Sequence, residues 1–216
     1  MKKIAVVLAG CGVLDGAEIH EAVLTLLAIR KLGAEYIIFA PDKEQHHVMN
    51  HYTHQESSEK RNVLYESARI ARGKIKPLND FKVSDFDALV FPGGFGVAKN
   101  LCTFAFNGSD CTIDSMVEKT IKGMIAAQKP IGAMCIAPVI LAKIIGNKVN
   151  LTIGNDASTI SAINKMDAHH VVTGHGEIIV DEKYKVVTTP CYMLDADITQ
   201  IQQGTENLVK ALFEMC

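Results

Sequence analysis

An α/β sandwich, three layers around a mostly parallel central sheet, is the fold class this sequence predicts, and three observations predict it. Runs such as residues 4–9 and 88–91 are apolar without alternation, as strands covered on both faces require. Stretches of helical spacing separate them. Loops bearing glycine and proline follow the strands, where an open α/β sheet collects its ligands.

In chain order, residues 4–9 are expected to form the first strand and Gly10 to Gly16 a loop. From Ala17 the spacing of Ile19, Val23, Leu26 and Leu27 predicts a helix stopped by Gly33. Residues 36–40 predict the second strand and complete a right-handed β-α-β unit. Residues 43–80 read as a polar excursion from the sheet, rich in histidine, with a short helix near 62–71. A strand at 88–91, a loop at 102–111 near the strand ends, a helix across 114–127, a strand into Met134 and a helix from Val139 follow. A strand at 151–153, a helix at 158–166, a hairpin of 178–180 with 185–188 and a helix across 197–213 complete the chain.

The 216 residues, 48% apolar and 21% charged, suit one domain spanning 1–216. A net charge of −2 offers no field for nucleic acid or an anionic membrane, so neither is an expected partner. The longest uncharged stretch, between Lys129 and Lys143, falls short of the ~20 residues of a membrane helix, and the apolar N-terminal run stops at Gly10. Six cysteines without a Cys-x-x-Cys pair are expected to be reduced, which places the protein in the cytoplasm. His46, His47, His51 and His54 lack acidic or thiol ligands at fixed spacing and read as a solvated loop, so no metal is expected. Gly10, Gly12 and Gly16 miss the dinucleotide fingerprint by one residue, and Glu18 would repel a pyrophosphate. No cofactor is expected.

The chemistry centres on Lys129 to Pro138, which sets Cys135 at a strand-to-helix turn. A thiol there lies over unpaired N–H groups and the positive end of a helix, and is expected to ionise readily and act as a nucleophile. The plain alternative is a small buried core thiol. Loops after the first, third and elbow strands should bring Glu18, the glycines of Pro92-Gly93-Gly94-Phe95-Gly96 and Cys135 to one rim. Gly93 and Gly94 are candidates for an oxyanion cradle; Gly96, Ile136 and Asn100 are further candidate substrate contacts. Glu18 is the candidate to bond the thiol or move a proton, and its plain alternative is a carboxylate complementing the helix dipole. Cys11, as a resolving thiol, Asp15 and His170 are accessory candidates.

Together these motifs resemble the ElbB family, the enhancing lycopene biosynthesis proteins of the class I glutamine amidotransferase-like (PfpI) superfamily. The resemblance is carried by Gly10-Cys11-Gly12-Val13, Asp15 to Glu21, Pro92 to Asn100, Met134-Cys135-Ile136-Ala137-Pro138, Leu151-Thr152-Ile153-Gly154 and Thr188-Thr189-Pro190, nearly end to end. It implies a flavodoxin-like amidotransferase fold, a nucleophilic Cys135 with Glu18 as its acidic partner, and glyoxalase activity. Two departures stand out. Ile136 occupies a position where many PfpI-type members carry histidine, and the elbow is not the Gly-x-Cys-x-Gly of amidotransferases. His169, His170 and His175 are candidates for a triad base by location only.

The expected function is therefore a cysteine-dependent, cofactor-independent conversion of glyoxal or related 2-oxoaldehydes to 2-hydroxy acids, with Cys135 as nucleophile and Glu18 as proton shuttle. Superfamily members commonly dimerise, so a homodimer is expected. The alternative is a non-catalytic cysteine redox sensor or an isoprenoid-pathway accessory protein.

Overall fold

The computed structural model describes all 216 residues. The chain runs β1 (Lys3–Val7), α1 (Ile19–Lys31), β2 (Glu35–Ala40), β3 (Val48–Asn50), β4 (Gln55–Ser57), α2 (Val63–Ile70), β5 (Ile75–Pro77), β6 (Ala88–Phe91), α3 (Phe104–Asn107) and α4 (Ser115–Ala126). It continues through β7 (Ile131–Met134), α5 (Pro138–Ile145), β8 (Asn150–Leu151), α6 (Ala157–Lys165), β9 (His169–His170), β10 (Ile179–Asp181), β11 (Val186–Thr189) and α7 (Ile198–Met215). The main sheet has the order β10-β11-β7-β6-β1-β2-β5, and every pair is parallel except β10 with β11. This is the α/β fold that the unbroken apolar runs predict. β6 and β7 are buried at every residue, and β1 at all but its first.

The steps from β1 to β2 and from β6 to β7 move toward opposite edges of the sheet. Right-handed crossovers therefore set α1 and α4 on opposite faces, and the loops after β1 and β6 part at the switch point. α7 joins α1 on its face, and Gly132 in β7 leaves the space that Leu208 and Leu212 fill. No helix is long and apolar enough to cross a membrane.

Beyond the short α3 inside the expected loop at 102–111, two local features differ from the sequence expectation. The excursion leaves the sheet as the β3–β4 hairpin and α2, but β5 returns and pairs with β2 at the edge. Three residues ending in proline carry little strand signal, and a sheet edge is where proline is tolerated. The second concerns α1. Ile19, Val23 and Leu27, whose spacing predicts the helix, face solvent, whereas Glu21, Ala22, Thr25, Ala28 and Ile29 are buried. The inward side chains are mostly small, which lets α1 lie close against α7 and the sheet.

Candidate active site

At the elbow, β7 ends at Met134 and Cys135 takes a left-handed φ of +59° while its N–H donates to Thr189 O at 3.0 Å. Such a φ is strained for a side chain with Cβ and aims the thiol out of the sheet end. Pro138 opens α5, where a missing N–H leaves no helical bond unmade. The Cys135 Sγ faces the backbone N–H groups of Gly94 and Ile136. Gly93 lies so close that a Cβ on it would overlap both the Cys135 Cβ and the Glu21 carboxyl, so only glycine lets the loop after β6 reach the thiol. Of the expected cradle, Gly94 and Ile136 present N–H groups to the sulfur. The Gly93 N–H is taken by Glu21 Oε2 at 2.8 Å and that of Gly96 by Gly16 O at 2.9 Å.

The carboxyl against the sulfur is that of Glu21. Glu18, which the sequence reading puts at the thiol, caps α1: its Oε2 accepts from Glu21 N at 2.7 Å. One turn further, Glu21 is fully buried and points at Cys135, with Oε1 accepting from Tyr192 N at 3.3 Å. Burial, helped by the charge of Glu18, pushes the Glu21 carboxyl up to about 8 against hydrogen bonds that favour its anion. The expected easy ionisation of Cys135 is likewise corrected. Burial first, then the neighbouring Glu21, drives the thiol well above its ordinary value, and the N–H groups of Gly94 and Ile136 offset only part of this. Helix α5 begins three residues beyond the sulfur, too far on to outweigh removal from water. Near neutral pH the pair holds its protons. One step away lies another buried thiol, Cys191, which feels the charges of Glu21 and Cys135.

Cys135 opens onto a cavity of about 460 Å³ whose walls include Phe95, Phe104, Ile136, Tyr192 and Met193. A larger hollow of about 650 Å³ lies between β10 and α7 and contains no thiol. At the cavity wall the Tyr192 hydroxyl meets His20 Nδ1 at 2.8 Å. No histidine lines the cavity. His170 Nε2 accepts from Ile153 N at 3.1 Å, His169 Nδ1 bonds Asn150 at 2.7 Å, and His175 borders the other hollow, so none of the three is placed to be a triad base.

The remaining candidates hold the chain together. Asn100 Nδ2 donates to Ala9 O and Asp15 O, both at 2.9 Å, and its Oδ1 accepts from His46 N. Asp15 is buried and accepts from Met49 N at 2.6 Å. Cys11 sits among Glu66, Arg69 and Asp15, surroundings it does not share with Cys135. His46 packs tilted and His47 edge-on against Phe106, and His51 accepts from Leu14 N, so these rings are structural contacts. No cluster of three or more His, Cys, Asp or Glu side chains is arranged to hold a metal ion. The sequence reading missed Glu21, Tyr192 and His20. For Glu21 the available signal was a carboxylate on the small-residue face of α1.

Comparison with known proteins places the chain. It is 48% identical over 224 residues to the ES1 protein homolog, mitochondrial, of Rattus norvegicus, covering 99% of this chain and 84% of that protein. It is 46% identical to glutamine amidotransferase-like class 1 domain-containing protein 3, mitochondrial, of Homo sapiens, covering 99% and 83%. A crystal structure of an isoprenoid biosynthesis protein with amidotransferase-like domain from Ehrlichia chaffeensis superposes with a TM-score of 0.92 at 34% identity, covering 99% of this chain and all of that one. These relatives' names, with that of ES1 protein, mitochondrial, of Danio rerio, overturn the cytoplasmic expectation. Free thiols report a reducing surrounding and do not say which compartment supplies it. The DJ-1/PfpI family model matches residues 2–191, and with these relatives it shows that the chain belongs to the DJ-1/PfpI family, within the class I glutamine amidotransferase-like superfamily.

Proposed function

We propose that this chain is a cysteine-dependent, glutathione-independent glyoxalase of the ElbB type that converts 2-oxoaldehydes to 2-hydroxy acids. One observation carries the reading: the Cys135 thiol stands at the floor of a cavity with the N–H groups of Gly94 and Ile136 facing its sulfur and the buried Glu21 carboxyl bonded to it from behind. In the reaction, one Glu21 oxygen takes the thiol proton while the carboxyl gives its own proton to the aldehyde oxygen, so the Cys135 sulfur adds to the aldehyde carbon and yields a neutral hemithioacetal whose oxygen rests on the Gly94 and Ile136 N–H groups. A carbon bonded to Sγ is within reach of a carboxyl that already bonds that sulfur. Glu21 then carries the proton from this carbon through an enediol to the neighbouring one, leaving a 2-hydroxy thioester. Water hydrolyses the thioester and restores the thiol, so the net change is addition of one water, with no external oxidant or reductant.

The absence of a histidine from the cavity argues against a Cys-His-acid hydrolase, and the absence of a cation from its walls argues against a glutaminase, which must hold an α-carboxylate. The isoprenoid link in the name of the Ehrlichia chaffeensis protein supports the ElbB assignment and an accessory role in that pathway. The exposed stripe Ile19, Val23 and Leu27 supports the expected homodimer, which light scattering tests. A redox-sensing role is the second reading, favoured by Cys191 beside Cys135; intact mass after mild peroxide tests it. For the main reading, wild type and Cys135→Ala are assayed with glyoxal, methylglyoxal and glutamine. Acid product from the aldehydes is expected from wild type alone, with a loss of ~10³-fold or more in the variant. Equal turnover by the two proteins rejects the proposal.

A further inference from the structure

The cavity over Cys135 is larger and less polar than a two-carbon aldehyde requires. Its volume of about 460 Å³ lies within the ~300–1,000 Å³ of sites for drug-sized ligands. Val13, Phe95, Ala98, Phe104, Ile136 and Met193 supply an apolar wall. Val13 and Phe95 are 38% and 51% exposed at its mouth, where an apolar ligand would cover them. The polar groups of the wall are already engaged. Asp156 accepts from Ser158 Oγ and Thr159 N, both at 2.8 Å, to cap α6, and the Thr159 side chain, with these two bonds, holds its carboxyl below the usual carboxylate range. No lysine, arginine or histidine lines the cavity, and Lys99, beside the Phe95 ring, donates to Leu14 O at 2.9 Å. A carboxylate tail would therefore meet one fixed anion and no free cation.

We propose that this cavity selects neutral carbonyl compounds with an apolar tail of roughly phenyl or branched-alkyl size, in preference to glyoxal, methylglyoxal or a carboxylate-bearing aldehyde. The proposal rests on the reading of Cys135 as nucleophile for which end of the ligand is carbonyl, with the tail lying along Phe95 and Phe104. It names the substrate class of that site.

Two measurements test it separately from the reaction. In the first, wild type is assayed with glyoxal, methylglyoxal, phenylglyoxal and 4,5-dioxopentanoate, which is a 2-oxoaldehyde bearing a carboxylate. The expected kcat/KM for phenylglyoxal exceeds that for methylglyoxal at least tenfold, 4,5-dioxopentanoate ranks last, and Phe95→Ser narrows the phenylglyoxal-to-glyoxal ratio mainly through KM. Glyoxal fastest, or 4,5-dioxopentanoate accepted as well as methylglyoxal, overturns the proposal while leaving the glyoxalase reading intact. In the second, 2-hydroxyacetophenone and hydroxyacetone, neutral and without an aldehyde, are titrated calorimetrically into Cys135→Ala. At least tenfold tighter binding of the aryl compound is expected, and equal binding or none of either overturns the proposal. Selective aryl binding without turnover of any aldehyde by wild type supports the proposed ligand class and removes the glyoxalase.

Discussion

Two regions of this molecule are rich in polar side chains, the crevice over β6, β7 and β11 and the excursion folded beside β1, and they dispose of them in opposite ways. In the excursion the bonds close on the main chain. Asp15 accepts from Met49 N, Asn100 from His46 N and His51 from Leu14 N, and together they fasten the β3–β4 segment to the loop after β1. In the crevice the main chain holds the side chains but leaves reactive atoms over: the Cys135 sulfur at the cavity floor and the Glu21 proton behind it. A polar group spent on the backbone keeps the shape of the chain, and one facing a cavity remains for a ligand. The same contrast recurs three residues apart on α1, where Glu18 caps the helix and Glu21 meets the thiol. Substitutions in the crevice should therefore strike turnover, and those in the excursion stability.

After loss of the thiol itself, the largest effect is expected from Glu21→Gln, which keeps the shape and removes the movable proton. Turnover of a 2-oxoaldehyde should fall ~10²-fold, the usual weight of a general acid-base group. Its stability should respond to pH in the opposite sense from a surface carboxylate. The native carboxyl titrates near 8 against an ordinary 4.5, so the native state holds a proton there that the unfolded chain has lost. The stability from that proton is complete below about pH 4.5 and is lost as the pH rises through about 8. Glu21→Gln should therefore gain on wild type between about pH 5 and 9, by an amount on the order of a few kcal/mol, read from urea midpoints at each pH. Parallel curves for the two proteins would mean that Glu21 is not a buried, protonated acid.

The fold was legible because buried parallel strands leave unbroken apolar runs, and the elbow because few other arrangements put a cysteine between such a run and a helix. Glu21 was less so. A helix that packs through alanine and threonine carries its largest apolar residues elsewhere, and Ile19, Val23 and Leu27 drew the eye to the wrong face. Glu18 is the first acid after the loop that reaches the rim, whereas Glu21 stands one turn further on, among the small residues that are buried. Thiol ionisation was misjudged for a related reason: helix position is written in sequence, whereas depth of burial depends on residues as distant as Thr189 and Gly93. No spacing shows that Asp15 and Asn100 anchor the excursion, because both act on its main-chain N–H groups.

A smaller effect on turnover, with a clear effect on stability, is expected in the excursion. Asp15→Ala leaves Met49 N without its acceptor in a buried setting and should cost about 1–3 kcal/mol in a urea titration. Aldehyde turnover should stay within about twofold at temperatures where the variant is folded. A ~10²-fold loss of turnover in stably folded protein would bring Asp15 into the chemistry and dissolve the contrast between the regions.

The smallest effect divides the two carboxylates of α1. Glu18→Gln keeps a side-chain oxygen for the Glu21 N–H, so the helix should lose no more than about 1 kcal/mol. What it removes is a negative charge that, after burial, is the next cause of the raised Glu21 carboxyl. Without that charge Glu21 ionises at lower pH, and the limb of the kcat/KM profile that reports it should move down. Turnover at the optimum should stay within about threefold. A profile that keeps its position while turnover falls as far as in Glu21→Gln would show that Glu18 moves the proton and Glu21 only supports it.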